Sequence, residues 1–307
     1  DCGVDLPGHA WAVVPLLEHV HWQVREAAAE TLGKLEAAAL AQHGAALVAK
    51  LEDSNEEVRE TAVKTLGKLE AAALAQHGAA LVARLEDSQW DVRLAAVETL
   101  GKLAQHGAAL VARLEDSQWY VRLAAVETLG KLEAAALAQH GAALVAKLED
   151  SNEEVRETAV KTLGKLEAAA LAQHGAALAA RLEDSDRHVR YAAVKTLGML
   201  EPATLAQHGA ALVTRFEDSN EYVRHAAVET LGKLEPAALA QHGPALVARL
   251  EDSEPDVREA AVETLGKLEP AALAQHQQAI AKAAEEDWHP QVRRAAAEVL
   301  AKLRGGQ

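Results

Sequence analysis

The sequence of 307 residues has very little cysteine, few aromatic residues and too little positive charge to balance its acids. A single cysteine, Cys2, excludes a disulfide framework. Aromatic residues make up only 3%, so any core must be built from small aliphatic side chains. The net charge of −15 argues against binding to duplex nucleic acid, which requires a basic surface, and against binding to an anionic membrane.

Long apolar runs and the short motifs of common enzymes are lacking as well. No apolar run approaches the roughly 20 residues that span a bilayer, and no signal peptide is evident, so we expect a soluble chain, cytoplasmic if it is natural. The sequence has no glycine-rich phosphate loop, no zinc-type Cys/His cluster and no Gly-x-Ser-x-Gly turn. We therefore predict no enzyme, no cofactor and no bound metal.

What the sequence does contain is a tandem repeat marked by the dipeptide Val-Arg. Successive arginines are 34 residues apart, except for one step of 29 (Arg93 to Arg122) and one of 35 (Arg258 to Arg293). A period in this range indicates a solenoid, in which each unit buries its apolar face on its neighbours. We predict one domain over 1–307, with cap repeats at about 9–35 and 270–304 and internal repeats at about 36–269. The dipeptide occurs nine times, and the repeats are numbered by it: Val24-Arg25, Val58-Arg59, Val92-Arg93, Val121-Arg122, Val155-Arg156, Val189-Arg190, Val223-Arg224, Val257-Arg258 and Val292-Arg293.

One unit, residues 235–268, illustrates the predicted local structure. A short connector helix ends at Gly243, which we expect to form a left-handed cap. Helix A and a turn follow, and Pro255 starts helix B, which extends to about Leu268. Gly266 lies inside the last turns of helix B. Its return in eight repeats indicates either the close approach of a neighbouring helix, which we favour, or simple copying of the repeat.

An aspartate precedes the repeat arginine by six positions in eight of the nine repeats, and only the first has His19 there instead. Such a pair is open to two interpretations. It is either an acid–base site or a ladder that links each inter-helix turn to the next. A catalytic pair is not needed eight times, so we predict the ladder.

Asp252 in the turn, Val257-Arg258 and the run Thr264–Leu268 together resemble the HEAT family, in particular its short-repeat branch. The resemblance covers nearly the whole chain, from about His9 to Leu303. It implies an all-α fold, a right-handed superhelix of nine helix pairs with A helices outside and B helices on the concave side. Proteins of this type are mostly interaction scaffolds and only occasionally enzymes.

Some copies of the repeat are nearly or fully identical. Segments 36–70 and 133–167 have the same sequence, and segments 75–103 and 104–132 differ only at Asp91 against Tyr120. Either recent duplication or engineering accounts for such copies. The step of 29 residues lacks Glu-Ala-Ala-Ala-Leu after Leu103. We predict that the loss falls in the connector and leaves helices A and B complete.

Sequence variation between repeats is concentrated at three positions, two and one before the repeat valine and two after it. Six of the nine aromatic residues occupy them, whereas repeats 2 and 5 carry only glutamate there. Exposed Trp, Tyr and Arg are typical of binding surfaces. We predict a protein- or peptide-binding scaffold that uses the concave face formed by the second helix of each repeat and whose partner has a basic component. The alternative is a structural or designed array without a natural ligand, whose aromatics serve self-association. The predicted binding residues are Trp90, Leu94, Trp119, Tyr120 and Leu123 in a first group, and Arg187, His188, Tyr191, Tyr222 and His225 in a second.

Eight histidines follow glutamine near the connector turn. Helices in contact are roughly 8–10 Å apart, too far for histidines of adjacent repeats to share one metal ion. We therefore predict that these histidines pack or cap, and we assign no metal site to His188 and His225.

Overall fold

The computed structural model describes residues 6–103 and 106–305, and Cys2 lies outside them. The described residues form helices and turns without any strand, so the predicted all-α architecture of repeated helix pairs is confirmed. By its internal contacts the chain divides into two compact units, residues 1–143 and 144–307. The first contains repeats 1 to 4 and the second contains helix B of repeat 5 and everything after it.

Each full unit contains a connector helix, helix A and helix B. The connector helices are Ala37–Ala41, Ala71–Ala75, Ala134–Ala138, Ala168–Ala172, Pro202–Leu205, Pro236–Leu239 and Pro270–Ala274. The A helices are Leu6–Val13, Gly44–Ala49, Gly78–Arg84, Gly107–Ala112, Gly141–Ala146, Gly175–Ala180, Gly209–Thr214, Gly243–Ala248 and Gln277–Glu286. The B helices are Trp22–Leu32, Glu56–Leu66, Trp90–Leu100, Trp119–Leu129, Glu153–Leu163, Arg187–Leu197, Glu221–Leu231, Pro255–Leu265 and Pro290–Gly305.

Helix B forms the core because its apolar residues return on one face. In repeat 8, Val257, Ala261 and Leu265 are at most 1% exposed. Pro255 occupies the first turn, where its missing N–H has no partner to lose. The helix ends at Leu265, three residues before the predicted end at Leu268, because the amides of Lys267 and Leu268 bond to the carbonyls three residues back and close a tight turn.

The prediction that Gly243 is a left-handed cap is wrong. Its φ and ψ are −50° and −48°, so it is right-handed and begins helix A. The glycine is needed because the next repeat comes close: a Cβ atom there would overlap Nε2 of His276. Two other glycines are placed in the same way. A Cβ atom on Gly44 would lie 2.5 Å from Nε2 of His77, and one on Gly209 would lie 2.7 Å from Nε2 of His242. The predicted packing role of the Gln-His histidines is thereby confirmed.

The glycine at the end of helix B also allows a close approach, as predicted. A Cβ atom on Gly232 would lie 2.9 Å from Oγ1 of Thr264, in the next repeat. Lys267 of that repeat donates a hydrogen bond from Nζ to the Gly232 carbonyl oxygen at 3.0 Å. Glycine therefore brings two consecutive B helices close enough for a side chain to bond to the neighbour's backbone.

The predicted Asp–Arg ladder is confirmed, and its bonds run between repeats. Arg190 donates through Nε and one terminal nitrogen to both carboxylate oxygens of Asp218, at 2.7 and 2.8 Å. The other terminal nitrogen donates to the carbonyl oxygen of Asp184, six residues earlier in its own repeat, at 2.9 Å. The same two-pronged bond joins Arg25 to Asp53, Arg59 to Asp87, Arg93 to Asp116, Arg156 to Asp184, Arg224 to Asp252 and Arg258 to Asp287.

The shortened repeat keeps this ladder. Helices Gly107–Ala112 and Trp119–Leu129 are both complete, which confirms that the missing residues belong to the connector. Ala104 and Gln105, at the junction, lie outside the described residues. Arg93 still reaches Asp116 at 2.7 and 2.8 Å.

We expect Arg190→Ala to lower the free energy of unfolding by about 3–5 kcal/mol, because it leaves the carboxylate of Asp218 buried without its main partner. Burial raises the pKa of Asp218, but the hydrogen bonds from Arg190 and from the Asn220 amide, together with the charges of Arg190 and Arg215, outweigh burial, so that the pKa lies below its ordinary range. Arg293 is the matched control. It holds the same repeat position but donates, in the described part of the chain, only to the carbonyls of Asp287 and Trp288. Arg293→Ala should cost about 1 kcal/mol. Urea unfolding followed by circular dichroism compares the two, and equal losses would contradict the ladder's role.

We expect Gly209→Ala to destabilise the chain by about 1–3 kcal/mol, because its Cβ atom would meet Nε2 of His242 at 2.7 Å. In a His242→Ala background the space is open, and the same substitution should become neutral or stabilising because alanine favours helix by about 1 kcal/mol. A double-mutant cycle of urea midpoints measures the coupling. Additive effects would show that the histidine is not the constraint.

Candidate protein-binding surface

The first predicted group lies at the start of helix B in repeats 3 and 4. Trp90 and Trp119 are the first residues of their helices, and Tyr120 follows Trp119. The Tyr120 ring stacks on the Trp90 ring, with centroids 5.6 Å apart and planes inclined by 25°. It also stacks on Trp119, at 3.8 Å and 29°. The structure therefore brings aromatic side chains of two repeats into one continuous stack.

This stack is accessible but held in place. Tyr120 is 46% exposed, and Trp90, Trp119, Leu94 and Leu123 are half-buried. Aromatic pairs of this kind contribute about 0.5–1.5 kcal/mol beyond burial, which favours the stacked arrangement of the rings. We call these five residues the aromatic cluster.

Acidic side chains border the aromatic cluster on the side of repeat 2. Asp91 follows Trp90, and burial, then the charge of Glu60, raises the pKa of its carboxyl group. Glu60 accepts a bond from Nζ of Lys64 at 2.5 Å, and this bond raises the pKa of Lys64. Glu57 is exposed on the same helix. Lys64 alone thus cannot neutralise the negative charge of these acidic side chains.

The second predicted group forms a shallow pocket in the second unit. Its lining is Arg187, His188, Tyr191, Tyr222 and Asn220. Tyr191 and Tyr222 are 40% and 66% exposed. Sequence analysis missed Asn220, whose carboxamide oxygen accepts hydrogen bonds from two backbone amides and so caps helix Glu221–Leu231.

The fifth residue of the second group, His225, does not line this pocket. It is half-buried, and its Nδ1 lies 3.7 Å from a carboxylate oxygen of Glu229, one turn further along helix B. The structure therefore brings four of the five predicted residues together in this pocket: the two tyrosines, Arg187 and His188.

Sequence analysis also missed Trp288, which is 70% exposed. It lies outside the three positions that vary most, in the place that serine holds after the turn aspartate in the other repeats that have one. That departure from serine was the available signal. The Cζ atom of Arg258 lies over the Trp288 ring, 5.2 Å from its centroid. The Trp288 ring also contacts the His289 ring in an edge-to-face arrangement.

Within residues 6–103 and 106–305 there is no group of three or more His, Cys, Asp or Glu residues arranged to hold a metal ion. No helix in this part of the chain is both long and apolar enough to cross a membrane.

Comparison with known proteins gives one family match. The model of the HEAT repeats matches residues 12–78, 44–109, 78–140, 107–174, 141–208 and 209–301. A solved structure describing how Kap95p binding induces the switch loops of RanGDP to adopt the GTP-bound conformation contains a similar chain, with a TM-score of 0.67 and 16% identity. The similarity covers 97% of this chain and 44% of that one, so this chain spans less than half the length of its structural relative. No curated protein matches the sequence.

We expect the carboxyl group of Asp91 to titrate above its ordinary pKa of 3.8. In Glu60→Gln the pKa of Asp91 should fall, because one of the two causes that raise it is removed. Glu57→Gln is the matched control and should leave Asp91 unchanged. Carbon-13 NMR of the side-chain carboxyl groups over a pH series measures all three. An unchanged pKa in Glu60→Gln would show that these acids do not converge beside the aromatic cluster.

Proposed function

The chain belongs to the HEAT-repeat family, and on this basis we propose that it is a protein- or peptide-binding scaffold whose main contact is the aromatic cluster. The stack of Trp90, Tyr120 and Trp119 carries this proposal. Its rings are partly exposed in a protein that otherwise builds its core from Ala, Leu and Val. Rigid aromatic side chains bind partners well because little side-chain entropy is lost on contact.

The twin segments support the assignment. Segments 75–103 and 104–132 are identical except that Asp91 is replaced by Tyr120. That single exchange completes the aromatic stack on repeat 4 and retains the acid on repeat 3. The difference between two otherwise equal repeats thus falls on the residues that would meet a partner.

The neighbouring acids define the partner's chemistry. Asp91 follows Trp90, the charges of Glu60 and Lys64 act on Asp91, and Glu57 is exposed on the same helix as Glu60. A segment that places an apolar or aromatic side chain on Tyr120 and an arginine or lysine beside Asp91 satisfies both features. We therefore assign a peptide segment with a basic and an apolar residue as the partner.

The Kap95p structure describes a chain of the same fold that engages RanGDP. At 16% identity this likeness concerns the fold alone, and it supports a protein partner only in general terms. The second candidate function is a structural array in which the exposed rings drive self-association. Tyr120, with almost half its surface exposed, is compatible with this alternative as well.

We expect Tyr120→Asp to abolish most of the binding without disturbing the fold, because it turns segment 104–132 into a copy of segment 75–103. Peptides selected from a random phage-displayed library on the parent protein should carry arginine or lysine next to an apolar residue. Their affinity, measured by fluorescence anisotropy, should fall about 30-fold for Tyr120→Asp, the loss typical of an interface anchor.

The reciprocal variant Asp91→Tyr is the control for the aromatic surface. It keeps the stack, removes the acid and should weaken only the contribution of the basic residue. Peptides that bind Tyr120→Asp as tightly as the parent would contradict the proposal. Sedimentation of the parent and Tyr120→Asp tests the alternative: an oligomer that dissociates in the variant, with no peptide selected, would favour self-association.

A further inference from the structure

A second arginine position recurs at the interfaces between repeats, and it defines a slot. Arg84 donates through one terminal nitrogen to the carbonyl oxygen of Leu51 at 2.8 Å and through the other to Glu52 at 2.6 Å. The first of these nitrogens also lies 3.4 Å from a carboxylate oxygen of Asp87, three residues further on in the same repeat. Its acceptors are thus a backbone carbonyl and a glutamate of the preceding repeat and an aspartate of its own.

The same slot is filled in the same way at other interfaces. Each arginine bonds the glutamate of the preceding repeat and lies 3.5 to 3.9 Å from the aspartate three residues further on. The pairs are Arg113 with Glu86, Arg181 with Glu149, Arg215 with Glu183 and Arg249 with Glu217.

The last interface retains the acceptors of the slot but lacks the arginine. Ala284 stands three residues before Asp287, where the other repeats have arginine or lysine. Helix Gln277–Glu286 is α-helical throughout, whereas helix A of repeat 8 continues as a 3-10 turn through Arg249. An open pocket lies between repeats 8 and 9. Its lining includes Leu250, Glu251 and Asp287, which correspond to Leu51, Glu52 and Asp87, and helix Gln277–Glu286 contributes Lys282 and Ala283.

Trp288 gives this pocket a feature that the filled slots lack. Its ring lines the pocket in the position that serine holds in the corresponding turns, and it is 70% exposed. Indole rings attract guanidinium groups through the face of the π system. The pocket therefore combines the acceptors that bind arginine elsewhere in the chain with an exposed aromatic wall.

The charges already present leave room for another cation. Asp287 holds Arg258 at 2.7 and 2.9 Å, and Asp87 shows that such an aspartate can hold the ladder arginine with a second arginine 3.4 Å away. Lys282 reaches Glu251 at 2.7 Å, but its side chain is 57% exposed. This lysine is a weak, displaceable occupant, because an exposed ion pair contributes little to stability.

We propose that the pocket between repeats 8 and 9 binds an arginine side chain of a partner polypeptide, which takes the place that Arg84 and its equivalents hold inside the chain. The occupant belongs to a polypeptide because the internal precedent is a residue within a chain, whose guanidinium group donates to these acceptors. The site is formed by repeats other than those of the aromatic cluster. This proposal can therefore be right or wrong independently of the function proposed above.

The test uses the full chain labelled with 5-fluorotryptophan, whose Trp288 resonance is assigned with Trp288→Phe. N-acetyl-L-arginine amide, the probe for an arginine within a chain, should move the Trp288 fluorine resonance to saturation. N-acetyl-L-citrulline amide has the same shape without the charge and should bind about tenfold more weakly. Equal responses to the two probes, or none to the arginine probe, would overturn the proposal. Tighter binding of free arginine than of the blocked form would overturn the assignment to a polypeptide.

Two variants sharpen the result. Ala284→Arg places an arginine three residues before Asp287, as Arg249 stands before Asp252, and should abolish the response, while the Trp90 and Trp119 resonances report that the chain is folded. Lys282→Gln removes the competing cation and should tighten binding of the arginine probe. The proposal would be contradicted if the arginine probe still moved the Trp288 resonance in Ala284→Arg, or if it bound more weakly to Lys282→Gln than to the parent protein.

Discussion

The bond between the arginine of one repeat and the aspartate of the next is the constraint on which the rest of the structure depends. One guanidinium group holds the turn of its own repeat through a carbonyl oxygen and the turn of the following repeat through a carboxylate, as Arg190 does with Asp184 and Asp218. The aspartate side chains are between 2% and 6% exposed. A carboxylate buried to this degree needs its partner, so neither residue of the pair can vary without a large loss of stability.

This constraint decides which positions are free to change. The ladder arginine and the buried valine beside it fix one side of helix B, and the close contacts at Gly209 and Gly232 fix the distance between repeats. Substitutions on the exposed side cost about 0.5 kcal/mol or less, against several for a ladder residue. The chain can therefore hold Glu57, Asp91 or Tyr120 at one repeat position while the architecture stays the same. Under the proposed function, the binding chemistry lies in those few positions.

The period, the Val-Arg dipeptide and the aspartate six residues before it were enough to predict helix pairs, the ladder and the close approach at Gly266. These features occur in almost every repeat, and a residue that recurs at the same position in almost every repeat indicates a structural role common to all of them. The role of Gly243 was not predictable in this way, because the reason for it is His276, which is distant in sequence and meets it only after the repeats stack. The contact of Tyr120 with Trp90 depends likewise on the rotation between two repeats. The pocket at the last interface was not predictable because it depends on how helix Gln277–Glu286, which has alanine where other repeats have arginine or lysine, packs against repeat 8.

The last repeat shows how the ladder is completed at its end. Its helix A is rich in alanine near the turn, and Ala284 stands three residues before Asp287 where repeat 8 has Arg249 before Asp252, so helix A covers the interface less fully. The ladder bond from Arg258 to Asp287 would be exposed there to solvent and to competing ions. Trp288 lies over this arginine at 5.2 Å, and Arg258 is only 4% exposed. The hydrogen bond from Arg258 is the main cause that keeps the pKa of Asp287 below its ordinary range. A tryptophan in place of serine thus protects the final rung of the ladder, and the same exposed ring forms one wall of the open slot beside it.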